Sequence, residues 1–228
     1  MKGESVKPVL VFDYDGTLHE TMRIYKPGIE AAVRWLRSEH GVKVSMPSDQ
    51  RIKKWLGMNT AEMWEDFMPG LPPLLKAEAG RLVGRTMLEE IRAGHGRWYP
   101  GVKEKLDLLK QKGYTMVVLS NCEREYADLN QEVFGMDRWF DAFYDCASYG
   151  YIAKEEIMKL VAADYGEKCG AQAPGFVMIG DRGSDYAAAK SAGAPFIWCA
   201  YGYGSREEFP TDGIFVIEDP AGPVSSFI

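Results

Sequence analysis

The chain contains no run of eighteen apolar residues, the length a helix needs to cross a bilayer, and so offers no candidate membrane span. Cysteine is sparse: Cys122, Cys146, Cys169 and Cys199 stand far apart, with no C-x-x-C pair among them. That spacing argues against a zinc site or a disulfide framework and fits reduced thiols in a cytoplasmic protein. Only three histidines occur, which argues against a His-centred metal site. No polybasic block exists and the net charge is -6, so nucleic acid is not the expected main partner. A local positive pocket for an anionic substrate remains compatible with that charge. The opening stretch, Met1-Lys2-Gly3-Glu4-Ser5, is polar and lacks the apolar region of a signal peptide. Internal repeats and low-complexity segments are also missing.

What is present is a chain of 228 residues with 46% hydrophobic content, enough for one large domain or a domain plus an insert. Its most informative stretch is Val9-Leu10-Val11-Phe12-Asp13-Tyr14-Asp15-Gly16-Thr17-Leu18. A short apolar run bounded by turn residues reads as a buried strand. Two carboxylates follow, one residue apart. In extended backbone, positions i and i+2 face the same side. One aspartate can then act as a nucleophile while its neighbour handles a proton, and a cation such as Mg²⁺ would offset their repulsion. Read alone, the same residues also make a solvated Asx turn at a strand end.

From His19 to Arg97 no period-2 strand stands out, and the segment reads as a helical insert. Glu30 to Ser38 has a helical apolar face; Ser48 caps a second helix, and Asn59 or Thr60 a third. Pro72-Pro73 precede a long fourth helix from Leu74 to about Arg92. Trp35, Trp55, Met58, Met63, Trp64 and Met68 read as this module's own core rather than as a substrate pocket. Arg51, Lys53 and Lys54 read as a solvated face.

Beyond Arg97, helix and strand alternate, as in a parallel sheet. Val102 to Leu109 is a helix and Tyr114 to Asn121 a strand that ends on Ser120 and Asn121. Arg124 to Phe134 reads as a helix and Phe140 to Cys146 as a short strand. Ser120 is a candidate phosphate donor as well as ordinary loop-entry chemistry. Lys154 opens a helix whose apolar residues are Ile157, Leu160 and Val161. A lysine there opposes the helix dipole, which hints at a phosphate or carboxylates holding it, although an exposed lysine is the favoured reading of the position alone. Ala173 to Asp181 is a strand leading to Gly180-Asp181-Arg182-Gly183-Ser184-Asp185, with Ser184 or Asp185 capping a helix from Tyr186 to Ala192. Strands follow at Phe196 to Cys199 and Ile214 to Ile217. The loop Tyr201-Gly202-Tyr203-Gly204 lacks phosphate-loop spacing and is assigned no chemistry.

Taken together, these residues resemble the haloacid dehalogenase-like (HAD) hydrolase superfamily, with phosphoglycolate phosphatase-like members nearest. Asp13 and Asp15 match its first motif, D-x-D-G-T-[LV]. Ser120 matches the second, Lys154 the third, and Gly180-Asp181 with Asp185 the fourth. Ala188 to Gly193 is similar to the A-x-x-A-G ending of that motif. The resemblance implies an α/β fold: a Rossmann-like parallel-sheet core over 1–20 and 97–228, with an α-helical C1 cap over 21–96. Cap hinge strands are expected near His19 to Tyr25 and Gly96 to Pro100. It implies a phosphatase or phosphomutase, since the dehalogenase and phosphonatase branches lack an acid at Asp15.

The implied roles follow. Asp13 attacks phosphorus and Asp15 passes a proton. Mg²⁺ is held by Asp13, the Asp15 backbone carbonyl and Asp181, with Asp185 joining either directly or through water. Ser120 with Asn121, and Lys154, bind the phosphoryl oxygens. The expected partner is a small phosphorylated metabolite, with a monomer or a homodimer equally compatible. A β-phosphoglucomutase-type mutase and a non-catalytic binder are the alternatives. Two departures from the pattern bear on substrate: no proline follows Lys154, and Cys122 stands where many relatives carry lysine or another polar residue.

Overall fold

The computed structural model describes residues 7–166 and 175–222. Cys169, Ala173 and the polar N-terminal stretch lie outside the described residues. In chain order the elements begin with β1 (Val9–Phe12), α1 (Met22–His40), α2 (Asp49–Trp55), α3 (Thr60–Phe67) and α4 (Pro73–Arg92). They continue with α5 (Val102–Gln111), β2 (Met116–Ser120), α6 (Arg124–Phe134), β3 (Ala142–Asp145) and α7 (Lys154–Tyr165). The last are β4 (Phe176–Gly180), α8 (Gly183–Ser191), β5 (Phe196–Cys199) and β6 (Phe215–Ile217). The chain divides into two compact units, Met1–His19 with Trp98–Ile228, and Glu20–Arg97.

The first unit is an α/β sheet. Six strands run in the order β3-β2-β1-β4-β5-β6, and every pairing is parallel. The chain builds outward from β1 through β2 to β3, then returns to place β4 on the other side of β1. That reversal opens a crevice at the carboxyl ends of β1 and β4, where open α/β sheets take their ligands. The apolar run of β1 is continuous because both faces are covered. Val9 and Val11 pack with Met158, Val161, Ala188 and Ala189. Phe12, facing the opposite way, lines a small gap with Leu106 and Leu109 of α5.

Two expectations in this unit need correction. Leu160 is 39% exposed, and α7 instead buries Ile157, Met158, Val161 and Tyr165. Helix α8 starts at Gly183 with Arg182 as its N-cap. Asp185 is therefore inside the first turn, where its carboxylate reaches back to the backbone amides before the helix.

The helical unit builds its own core from Ile29, Leu36, Ile52, Trp55, Met63, Trp64 and Val83, with Trp35, Met58 and Met68 packed at its edge. Ser48 accepts from the Arg51 amide, and Asn59 forms a reciprocal capping box with Glu62. Arg51, Lys53 and Lys54 lie on an exposed face, where Arg51 and Lys54 also pair with Asp66. Helix α1 begins eight residues before the expected Glu30 (22 against 30) and runs through Pro27-Gly28. The reason is tertiary. A Cβ at Gly28 would press on Val83 of α4 at 3.0 Å, so glycine permits a close crossing that buries Ile24, Ile29 and Ala32. This helix also replaces the hinge strand expected over His19 to Tyr25. The only strand-like pairing there is a pair of single bridges, Asp15 to His19 and His19 to Trp98.

Candidate active site

Strand β1 delivers Asp13, whose amide bonds to the Ile179 carbonyl of β4 at 2.8 Å. The backbone then turns sharply, with the Thr17, Leu18 and His19 amides all returning to the Tyr14 carbonyl. Gly16 sits at φ +90°, and a side chain there would collide with Asp181 and Tyr203. The D-x-D-G turn is thus closed down onto the acid that follows β4.

Asp13, Lys154, Asp181 and Asp185 form one buried cluster, none more than 6% exposed. The Lys154 ammonium donates to Asp13 Oδ1 at 2.6 Å and to Asp185 Oδ1 at 2.5 Å. This answers the conflict noted at the start of α7: the lysine faces two carboxylates there. Asp185 Oδ2 accepts from the Arg182 amide at 2.9 Å and the Asp181 amide at 3.1 Å. Asp181 Oδ2 accepts from the Tyr203 amide at 2.6 Å. Its Oδ1 is buried with no hydrogen-bond partner.

Burial raises the Asp13 carboxyl above the ordinary carboxylate range, and the Asp185 charge adds to it, while Lys154 pulls the other way. Asp181 is raised well above its usual value, first by burial and then by Asp13 and Asp185. Burial would lower the Lys154 ammonium, but Asp13 and then Asp185 outweigh it and hold it above its ordinary value.

Oxygens of Asp13, Asp181 and Asp185 all lie within 4.8 Å of one another. With all three ionised, three negative charges against one ammonium leave two, which equals one divalent cation. The all-oxygen donor set and the orphaned Asp181 Oδ1 suit a hard ion of that charge.

Ser120 is buried and Asn121 half-buried at the carboxyl end of β2, the strand beside β1. Asp15 is half-buried on the turn, and the Tyr126 hydroxyl donates to its Oδ1 at 2.7 Å. Cys122 is buried, and burial followed by the nearby Asp15 charge lifts its thiol well above the usual value. A raised thiol pKa disfavours the reactive thiolate; among the described residues Cys122, Cys146 and Cys199 are all free of disulfides.

The sequence did not single out two parts of this site. The loop Tyr201-Gly202-Tyr203-Gly204, read as chemically silent, carries the amide that holds Asp181. A Cβ on Gly202 or Gly204 would drive into Asp181, so the glycines serve close backbone approach rather than phosphate binding. Their alternate spacing was the available signal. Tyr126, on the buried face of α6 with Asn130 one turn later, is the other.

The family model of the haloacid dehalogenase-like hydrolases matches residues 8–193. A phosphoglycolate phosphatase from Agrobacterium fabrum is 27% identical over 228 residues, covering 96% of this chain and 91% of that protein. A 5'-nucleotidase from Pseudomonas aeruginosa is 27% identical over 217 residues, covering 88% of this chain and 86% of that protein. Among solved structures, a predicted phosphoglycolate phosphatase from Haemophilus somnus superposes with a TM-score of 0.78 at 22% identity, covering 96% of this chain and 97% of that one.

Proposed function

The chain belongs to the haloacid dehalogenase-like hydrolase family, and on that premise we propose that it is a Mg²⁺-dependent phosphomonoesterase acting on a small phosphorylated metabolite. The observation that carries the reading is the buried Asp13 held by Lys154 beside two further carboxylates at the crevice between β1 and β4. Burying four charges has no structural return that an apolar cluster would not match.

In the first half of the reaction an Asp13 oxygen attacks phosphorus. The aspartyl–phosphate bond forms as the bond to the ester oxygen breaks, and Asp15 gives its proton to the departing alkoxide. In the second half Asp15 takes a proton from water, whose oxygen attacks the same phosphorus. Inorganic phosphate leaves and the Asp13 carboxylate is restored. Lys154 and Ser120, with Asn121, hold the equatorial oxygens during both transfers. Asp13, Asp181, Asp185 and the Asp15 backbone carbonyl would hold Mg²⁺, which when bound supplies positive charge for the oxygens of the transferring group.

Phosphate release from a panel of esters tests the reading. The panel starts with 2-phosphoglycolate and a nucleoside 5'-monophosphate, the substrate types named for relatives. Release is expected with Mg²⁺, is expected to stop with chelator, and should fall at least about 10³-fold in Asp13→Asn. A folded, Mg²⁺-loaded protein that releases phosphate from no ester would sink the proposal.

A further inference from the structure

We propose that Tyr126 is a positioning residue for Asp15: its phenol orients the carboxyl that transfers the proton. The inference rests on the phosphatase reading above and adds a residue that its family motifs do not contain.

Tyr126 is 6% exposed, and its hydroxyl donates to Asp15 Oδ1 at 2.7 Å across 111 residues of sequence. His19 Nδ1 lies 3.4 Å from the same phenol oxygen. A phenol has one proton to give, and a carboxylate is the strongest acceptor within reach. Behind it stands a continuous buried chain. The Trp98 indole donates to the Tyr14 hydroxyl at 3.1 Å. Tyr14 donates to Asn130 Oδ1 at 2.7 Å. The Asn130 amide donates to the Tyr126 backbone carbonyl at 2.8 Å. The Tyr126 ring also meets the Tyr14 ring edge-on, with centroids 6.1 Å apart. Asp15 is thus the last member of a buried network fixed to the turn after β1 and to the start of α6. Supporting shells of this kind decide whether a reacting group holds its working orientation. Nothing in packing alone requires the network to end on the half-exposed acid of the D-x-D pair.

The consequence depends on the leaving group. An alkoxide needs a proton in the transition state, whereas nitrophenolate departs without one. A misplaced Asp15 should therefore slow the first transfer selectively for alkyl esters, which kcat/KM reports, whereas the water attack that Asp15 also serves is common to both esters. The experiment compares wild type, Tyr126→Phe, Asp15→Asn and the double variant on 2-phosphoglycolate and p-nitrophenyl phosphate. Tyr126→Phe is expected to lower kcat/KM for the alkyl ester by about 10- to 100-fold and for the aryl ester by less than about threefold. In the Asp15→Asn background the Tyr126 change should add nothing, because both act through one group.

Equal losses in kcat/KM on both esters, or additive losses in the double variant, would overturn the positioning role while leaving the phosphatase reading intact. A wild type that releases phosphate from no ester of the panel removes both, and if 2-phosphoglycolate is not cleaved, an alkyl ester that the panel shows to be cleaved takes its place. Should Tyr126→Phe fail to fold, Tyr14→Phe keeps the question testable. It releases Asn130 but leaves the Tyr126 hydroxyl, and the same alkyl-selective loss is expected in smaller measure. An unselective loss there overturns the proposal too.

Discussion

In the sheet-bearing unit, Asp13, Lys154, Asp181 and Asp185 are all buried. In the helical unit, residues 20–97, no Lys, Arg, Asp or Glu is buried. Its ion pairs, Lys26–Asp49, Lys54–Asp66 and Lys76–Glu65, each keep at least one partner more than a third exposed. The helical unit folds on apolar packing and caps and leaves its charges in water, where they cost and gain little. The sheet unit has an equally apolar core yet also carries a dry ionic cluster whose desolvation works against folding. The contrast teaches that the cluster is not what holds the sheet together. Its retention marks chemistry, and substitutions of equivalent residues in the two units should behave very differently.

The widest separation is expected between two lysines. Lys154→Met leaves three buried carboxylates with no counter-ion and should destabilise the metal-free protein by ~3–5 kcal/mol. Lys54→Met removes an exposed pair and should cost about 0–1 kcal/mol. Urea unfolding of both variants in chelator measures the difference. Added Mg²⁺ should recover stability in Lys154→Met and leave Lys54→Met unmoved. If the two variants lay within ~1 kcal/mol of each other, the contrast between the units would be wrong.

A second separation is in acid. His19, in the sheet unit, is fully buried, and burial lowers its imidazole to about 3. The unfolded chain binds that proton near pH 6.5, so between those values the unfolded state holds more protons than the native one. The stability tied to neutral His19 is complete above about pH 6.5 and is lost as pH falls, by about 2 kcal/mol on reaching pH 5. His40 and His95, in the helical unit, are exposed and bury no imidazole. In His19→Leu the extra acid slope between pH 6.5 and 5 should vanish. A slope equal to wild type in that variant would show that His19 is not its source.

How much of this was legible beforehand differs by the range of the interaction. Local signals read well: Ser48 and Asn59 as caps, β1 as a buried strand, and Lys154 as a cation out of place on its helix. Each depends on residues within a turn or a strand. The start of α1 was hidden because Pro27-Gly28 looks like a breaker. Only the crossing at Val83 shows why a glycine there extends the helix. Gathering Asp13, Lys154, Asp181 and Asp185 at one crevice follows from strand order, and that was expected from motif order rather than from any pairwise signal. The Tyr203 amide was legible only through the glycines that flank it, and the Tyr126 hydroxyl not at all. The first is a backbone group with no side-chain signature. The second meets its partner 111 residues away, and a tyrosine on a helix face reads as core.

The smallest effect is a test of the helical unit's side of the comparison. Asp66 accepts from the Trp55 indole at 2.8 Å and from Lys54 at 2.9 Å, and Arg51 also reaches its carboxylate. The Trp55 bond first, and Lys54 second, hold its carboxyl down to about 2. Its folded value thus lies below the unfolded value of about 3.9. Stability from this group is complete above about pH 4 and is lost as pH falls toward 2, below the range in which most of the His19 contribution is lost. Asp66→Asn keeps an acceptor for the indole but removes the charge, so at pH 7 it should cost no more than about 1 kcal/mol and should abolish the loss below pH 4. Asp66→Ala strands a half-buried indole N–H as well and should cost ~1–2 kcal/mol at pH 7. Urea unfolding of the two variants against wild type at pH 7 and pH 3 separates the contributions. Equal costs for Asn and Ala at pH 7 would mean that charge, not the indole bond, sets the value of Asp66. The helical unit would then depend on electrostatics in a way its exposed ion pairs do not suggest.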